Sequence, residues 1–252
     1  MLVDLVRDSW RQCRQRPLAV ALMLAITGLG MLGNLIPSGR RSLVVALLSL
    51  VALAGFVLGF LVQLFVIPYL AGALRGDPTD AAGAWRVVLR SIGPCVRAVL
   101  LLMLYMFTAF LATMVIASVA VGAAGVEPSG DPTQQSGWLL AGLIPLMAFA
   151  YALLATLLQR ILLDGEQRVL RAARVSHRIA ARNFGVCLLF GVVQLALVGV
   201  AWTRPSLLLL AAAGVASTLL HLFIIGAENA LYLRARDAAL TSLEQASRPR
   251  QP

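Results

Sequence analysis

The chain has 252 residues, 60% of them hydrophobic and only 13% charged. Soluble domains carry about 25% charged residues, so this chain lacks the polar surface that a water-soluble globule needs. All 21 basic residues are Arg and the net charge is +10. In a soluble protein that balance suggests nucleic acid. Here the arginines flank apolar runs longer than ~18 residues, so they orient membrane spans and meet anionic headgroups. No nucleic-acid partner is expected.

The first apolar run starts at Leu18, behind an Arg-rich segment. It has no A-x-A-like cleavage site before Pro37, so it reads as an uncleaved span. Further runs place spans near 18–36, 43–67, 98–121, 138–159, 184–202 and 205–233. About 20 helical residues cross a ~30 Å hydrocarbon core, so the second and sixth runs are longer than crossing requires. Pro17 and Pro205 start helices, where a missing N–H costs little. Pro68 is expected to end or kink the second span and Pro145 to kink the fourth. The polytopic domain covers 1–240, and the polar stretch 241–252 reads as a disordered tail.

Charge sets the orientation. Eighteen of the 21 arginines fall on one side; only Arg40, Arg41 and Arg204 fall on the other. That asymmetry requires an even number of spans and places both termini in the cytoplasm. An Arg-only basic set among Ala, Leu, Val and Gly suggests a GC-rich bacterial genome. Cys13, Cys95 and Cys187 form no CxxC, and free thiols are expected.

Three segments precede the odd-numbered spans: DLVRDSWRQCRQRP to Pro17, AAGAWRVVLRSIGP to Pro94, and VLRAARVSHRIAARNF to Phe184. Ser9-Trp10-Arg11 aligns with Ser176-His177-Arg178, and Trp85-Arg86 fits the same slot. The unit is an amphipathic helix followed by a two-span hairpin, present three times. In the first helix Val3, Val6, Trp10 and Cys13 share a face. In the second Ala81, Trp85, Val88 and Ile92 do so, and in the third Leu170, Ala173, His177, Ala180 and Phe184. Basic stripes accompany them: Arg7, Arg11 and Arg14; Arg86 and Arg90; Arg168, Arg171, Arg174, Arg178 and Arg182. Such helices lie in the membrane interface, their arginines on lipid headgroups or on a partner. The fold class is all-α: a six-helix transmembrane bundle with three cytoplasmic interfacial helices.

Candidate chemistry is sparse. Gly28-Leu29-Gly30-Met31-Leu32-Gly33 matches G-x-G-x-x-G, but it lies inside an apolar span rather than between strand and helix, so it is no nucleotide motif. It reads as a close helix contact, like Gly55 and Gly59. Gln63, Gln194, His221 and Glu228 form the candidate intramembrane polar site. His221 and Glu228 lie two turns apart on one face, Glu228 at the cytoplasmic interface and able to pair with an Arg there. The pairs Asp77/Asp80 and Asp164/Glu166 read as helix caps. No catalytic set, HExxH, GxSxG, Walker motif or metal-spaced Cys/His group occurs, so no enzyme activity, cofactor or metal is expected.

Asp8-Ser9-Trp10-Arg11 and Leu162-Leu163-Asp164-Gly165, followed by Ala172 to Phe184, carry a resemblance. The chain resembles a broad group of bacterial six-helix inner-membrane proteins, which includes the membrane domain fused to some glycerophosphoryl diester phosphodiesterases. His177 stands where that group has an aromatic. The resemblance implies a location and a role in envelope or membrane maintenance. It brings no catalytic residues, because in the fused proteins the hydrolase is a separate domain. The sequence thus supports a non-enzymatic protein acting through anionic lipids or a protein partner. The alternative is a transporter or permease subunit with a polar site at Gln63, Gln194 and His221.

Overall fold

The computed structural model describes residues 1–34, 42–76, 80–123, 146–201 and 207–247. Every element among them is an α-helix: α1 (Leu2–Gln15), α2 (Pro17–Asn34), α3 (Ser42–Arg75), α4 (Ala81–Ala123), α5 (described part 146–154), α6 (Leu157–Asp164), α7 (Val169–Arg182), α8 (Phe184–Ala201) and α9 (Leu207–Ser247). Four stretches of the described residues are long and apolar enough to cross a membrane: Val57–Arg75, Ala81–Ile116, Leu146–Asp164 and Ala212–Thr241. Shorter apolar stretches, Pro17–Gly28 and Phe184–Val193, fall at the first and fifth expected spans. The chain is a helical membrane protein.

Length changes the expected picture. α3, α4 and α9 have 34, 43 and 41 residues, or roughly 51–65 Å at 1.5 Å per residue. A hydrocarbon core of ~30 Å cannot contain them, so each projects beyond the bilayer. α3 passes through Pro68 and runs to Arg75 rather than ending near 67. α4 passes through Pro94, so the second amphipathic segment is not a separate interfacial helix but the first turns of its own span. The N–H that Pro94 lacks would have served the carbonyl of Arg90, an exposed residue. α9 continues to Ser247, so helix covers 241–247 of the segment expected to be a disordered tail. Pro145 and the connections 37–41, 124–137 and 203–204 lie outside the described residues.

The chain forms two compact units. The first comprises Met1–Ile92, Leu162–Gly165 and Arg204–Pro252; the second comprises Gly93–Ile161 and Glu166–Thr203. In the first unit, α1 and α2 lie end to end along α9. Asp8 pairs with Arg234, Gln12 reaches Gly226, and Thr27 meets Thr218. Thr218 and Arg234 are roughly 24 Å apart along one continuous helix, so α1 extends the line of α2 instead of turning flat. Gly226 permits the contact, since a Cβ there would lie 3.0 Å from the Ser9 Cα.

In the second unit α7 packs on the broken span α5–α6. The helix is interrupted at Ala155-Thr156, with no Gly or Pro there to explain it. The Ser176 hydroxyl occupies the break. It donates to the Leu153 carbonyl (3.1 Å) and accepts from the Thr156 N–H (3.3 Å) and the Thr156 hydroxyl (3.2 Å). A side chain inserted into the backbone ladder is a recognised cause of such a kink. Below it Gly191 abuts Ala148 so closely that a Cβ would sit 2.6 Å from the Ala148 carbonyl oxygen.

Candidate functional site

The three amphipathic segments share one pattern, and it differs from the faces expected. On α1 the packed residues are Leu5, Ser9 and Gln12, whereas Val3, Val6 and Trp10 are exposed, Val3 by 70%. On α4 the packed residues are Ala84, Val88 and Ser91, while Trp85, Leu89 and Ile92 are exposed. On α7 they are Ala172, Ala173, Ser176, Ile179 and Ala180, with Leu170 and Phe184 exposed. The apolar faces were expected to lie in the membrane interface; the packed positions are mostly small or polar, with Leu5, Val88 and Ile179 among them, and small side chains allow close helix–helix approach.

At about 100° per residue, each segment has three faces in the same order and hand. The apolar face lies about 100° round from the packed one, and the arginines about 200° round. All ten candidate arginines (Arg7, Arg11, Arg14, Arg86, Arg90, Arg168, Arg171, Arg174, Arg178 and Arg182) are exposed. Trp10, Trp85 and His177 hold the same position on the middle face. Trp85 meets Phe65 edge-on with centroids 6.0 Å apart, and His177 lies 5.9 Å from Tyr105. Desolvation lowers the His177 pKa from 6.5, and its Nε2 has no hydrogen-bond partner among the described residues.

The charge environments of α1 and α7 differ. Asp4 and Asp8 interrupt the α1 stripe, and Asp8 pairs with Arg234 at 2.5 Å. Asp4 binds the N-terminal ammonium, which holds its carboxyl below the ordinary 3.8. Between Arg168 and Asn183 no acidic residue occurs. None of the five α7 arginines makes an ion pair among the described residues. Their stripe is roughly 21 Å long.

The intramembrane candidates separate. Gln63 and His221 meet: the Gln63 amide nitrogen lies 2.5 Å from His221 Nε2, which accepts and leaves the ring proton on Nδ1. Gln194 lies on α8, but its side chain is outside the described residues. Glu228 is buried, 4% exposed, rather than sitting at an open interface. Its neighbour Asn229, which pattern reading passed over, is fully buried and donates to the Ile67 carbonyl at 3.0 Å and to Gln12 at 3.4 Å. Gln12 in turn donates to the Gly226 carbonyl at 2.8 Å. Thus Ile67 on α3, Leu153 on α5 and Gly226 on α9 each give a backbone carbonyl to a neighbour's side chain. Thr218, His221, Asn229 and Tyr232 recur at helical spacing, so this polar face of α9 was present in the sequence.

Asp80 caps α4, accepting from the Gly83 N–H at 2.6 Å; Asp77 lies outside the described residues. Asp164 is not a cap: it accepts from the Tyr232 hydroxyl at 2.5 Å and pairs with Arg236 at 3.4 Å. Glu166 accepts from the Arg168 N–H and pairs with Arg160 at 3.8 Å. Gly76 after α3 and Gly165 after α6 share the same left-handed φ of 69°. Gly28 and Gly55 make no close helix contact, whereas Gly59 meets Ile26; the surroundings of Gly30 and Gly33 lie outside the described residues. The three cysteines are free thiols, and burial raises that of Cys13. No family model, curated protein or solved structure matches the chain.

Proposed function

We propose that this is a non-enzymatic, six-span protein of the bacterial inner membrane, built from three helix-plus-hairpin repeats with both termini in the cytoplasm, and that its α7 arginines hold anionic phospholipid. The α7 stripe carries this reading: five exposed arginines with no acid among them and no ion pair among the described residues. Each such residue near an anionic surface contributes about 1 kcal/mol. The exposed Leu170 and Phe184 at its two ends suit the acyl boundary. The shared three-face order and the matching Gly76 and Gly165 turns support the repeat. The 18-to-3 Arg asymmetry supports the cytoplasmic placement. This location and a role in membrane maintenance also agree with what the resemblance implies.

The transport alternative needs Gln63, Gln194 and His221 around an open polar cavity. The direct bond between Gln63 and His221 favours a bundle-specifying role instead. The lipid reading is tested by extracting and weighing the phospholipid that co-purifies with the protein. R168Q/R171Q/R174Q/R178Q is expected to lose anionic phospholipid while keeping zwitterionic lipid. Unchanged anionic lipid in that variant rejects the proposal.

A further inference from the structure

The middle face of α1 is unexplained by lipid capture on α7. Val3, Val6 and Trp10 share one face and are 70%, 45% and 64% exposed. α1 continues the line of α2 past Pro17, where the first apolar run ends, and its Asp8 is level with Arg234 on α9. Val6 lies twelve residues before Leu18, the first residue of that run, roughly 18 Å away along the line. The headgroup region on one side of a bilayer is only about 5–7 Å deep. Val3 and Val6 therefore stand in water, beyond the reach of acyl chains. Apolar residues grouped in water mark an interaction surface.

We infer that this face docks an acidic amphipathic helix of a soluble cytoplasmic protein. Two observations select that occupant. Arg7, Arg11 and Arg14 form the adjoining face, about 100° from the apolar one, so the matching ligand has an apolar stripe bordered by carboxylates. On α7 the same face is met by aromatic rings within the second unit: Tyr105 beside His177 and Phe149 beside Phe184. On α1 no ring of the described residues covers Trp10. A second copy of α1 would bring two Arg stripes together, and like charges at an interface are repulsive. This inference rests on the membrane reading but not on lipid capture by α7.

The test uses the full chain in nanodiscs of phosphatidylcholine alone. The probe is a fluorescein-labelled 18-residue helix with Leu at i, i+3, i+4 and i+7 and Glu elsewhere, read by anisotropy. Wild type is expected to bind it, with binding at least tenfold weaker in V3S/V6S/W10S, in R7Q/R11Q/R14Q, and for a probe with Gln in place of Glu. These positions are exposed, so the variants should remain monodisperse and keep wild-type anionic lipid on α7. Equal binding by both variants overturns the proposal. So does quenching of an introduced V6W by bromine-labelled acyl chains, which would put the face in lipid. A concentration-dependent dimer abolished in V3S/V6S/W10S would also overturn it, in favour of a second copy.

Discussion

α1 and α7 share one order of faces. Each packs a buried serine on a long neighbour, shows an aromatic or His one residue later, and exposes an Arg after that. They differ in what surrounds that frame. α1 carries its own acids, and Asp8 spends its charge on Arg234. α7 has no acid, and its five arginines are unpaired among the described residues. The buried serines differ too. Ser9 donates only to Leu5 of its own helix, whereas Ser176 satisfies a break in another. One pattern of faces thus accommodates different charge and hydrogen bonding. α1 fastens to α9 through Asp8 and Gln12, and α7 presents a bare cationic surface.

The largest expected break in this comparison is in lipid affinity. Neutralising four α7 arginines removes about 4 kcal/mol, close to a 10³-fold loss for anionic lipid. R7Q/R11Q/R14Q is expected to change lipid retention less than tenfold, read by native mass spectrometry of both variants. The serines come next. Ser176→Ala strands the Leu153 carbonyl and the Thr156 N–H and should cost about 1–3 kcal/mol, seen as a lower melting temperature in detergent. Ser9→Ala removes only a bond to its own turn and should change stability by less than about 0.5 kcal/mol. Asp8→Asn should cost at most about 1 kcal/mol, because its partner Arg234 is 44% exposed; salt should erase that difference.

The smallest effect is a pH dependence confined to the α7 side. Folding lowers the His177 pKa by desolvation. Below pH 6.5 the unfolded chain therefore takes up a proton that the folded chain resists. The His177 contribution is complete above that value and falls as pH drops below it. Melting curves between pH 5 and 8 should show this slope in wild type and not in His177→Gln, and Trp10→Phe should leave it in place.

Hydropathy made the helical class and the α7 Arg stripe legible, because length and charge act over whole segments. It did not mark the packed faces. Val3, Val6 and Trp10 were legible as a face for the membrane interface, whereas nothing in the pattern marks Ser9 and Gln12 as packed. In a membrane protein close backbone contact, not apolar area, can hold helices together. The Gly226 contact with Ser9 makes the point. Pro94 misled for another reason. A proline inside a helix costs about 3 kcal/mol, yet α4 runs through Pro94 and α3 through Pro68, so the surroundings offset that cost in a way the sequence does not state. Gln63 and His221 were recognisable as polar residues needing partners, and each found the other. Asn229 went unused because a single amide in a span gives no sign of which carbonyl it will reach.

The bond from Gln12 to the Gly226 carbonyl joins residues 214 positions apart. A ribosome adding 5–20 residues per second needs about 10–40 s to cover that interval. For that time the first helix has emerged and its docking surface has not. The Gly226 notch and this bond become available only when α9 arrives. A nascent protein stalled before Gly226 should expose α1 to proteases or chaperones more than one in which α9 has emerged.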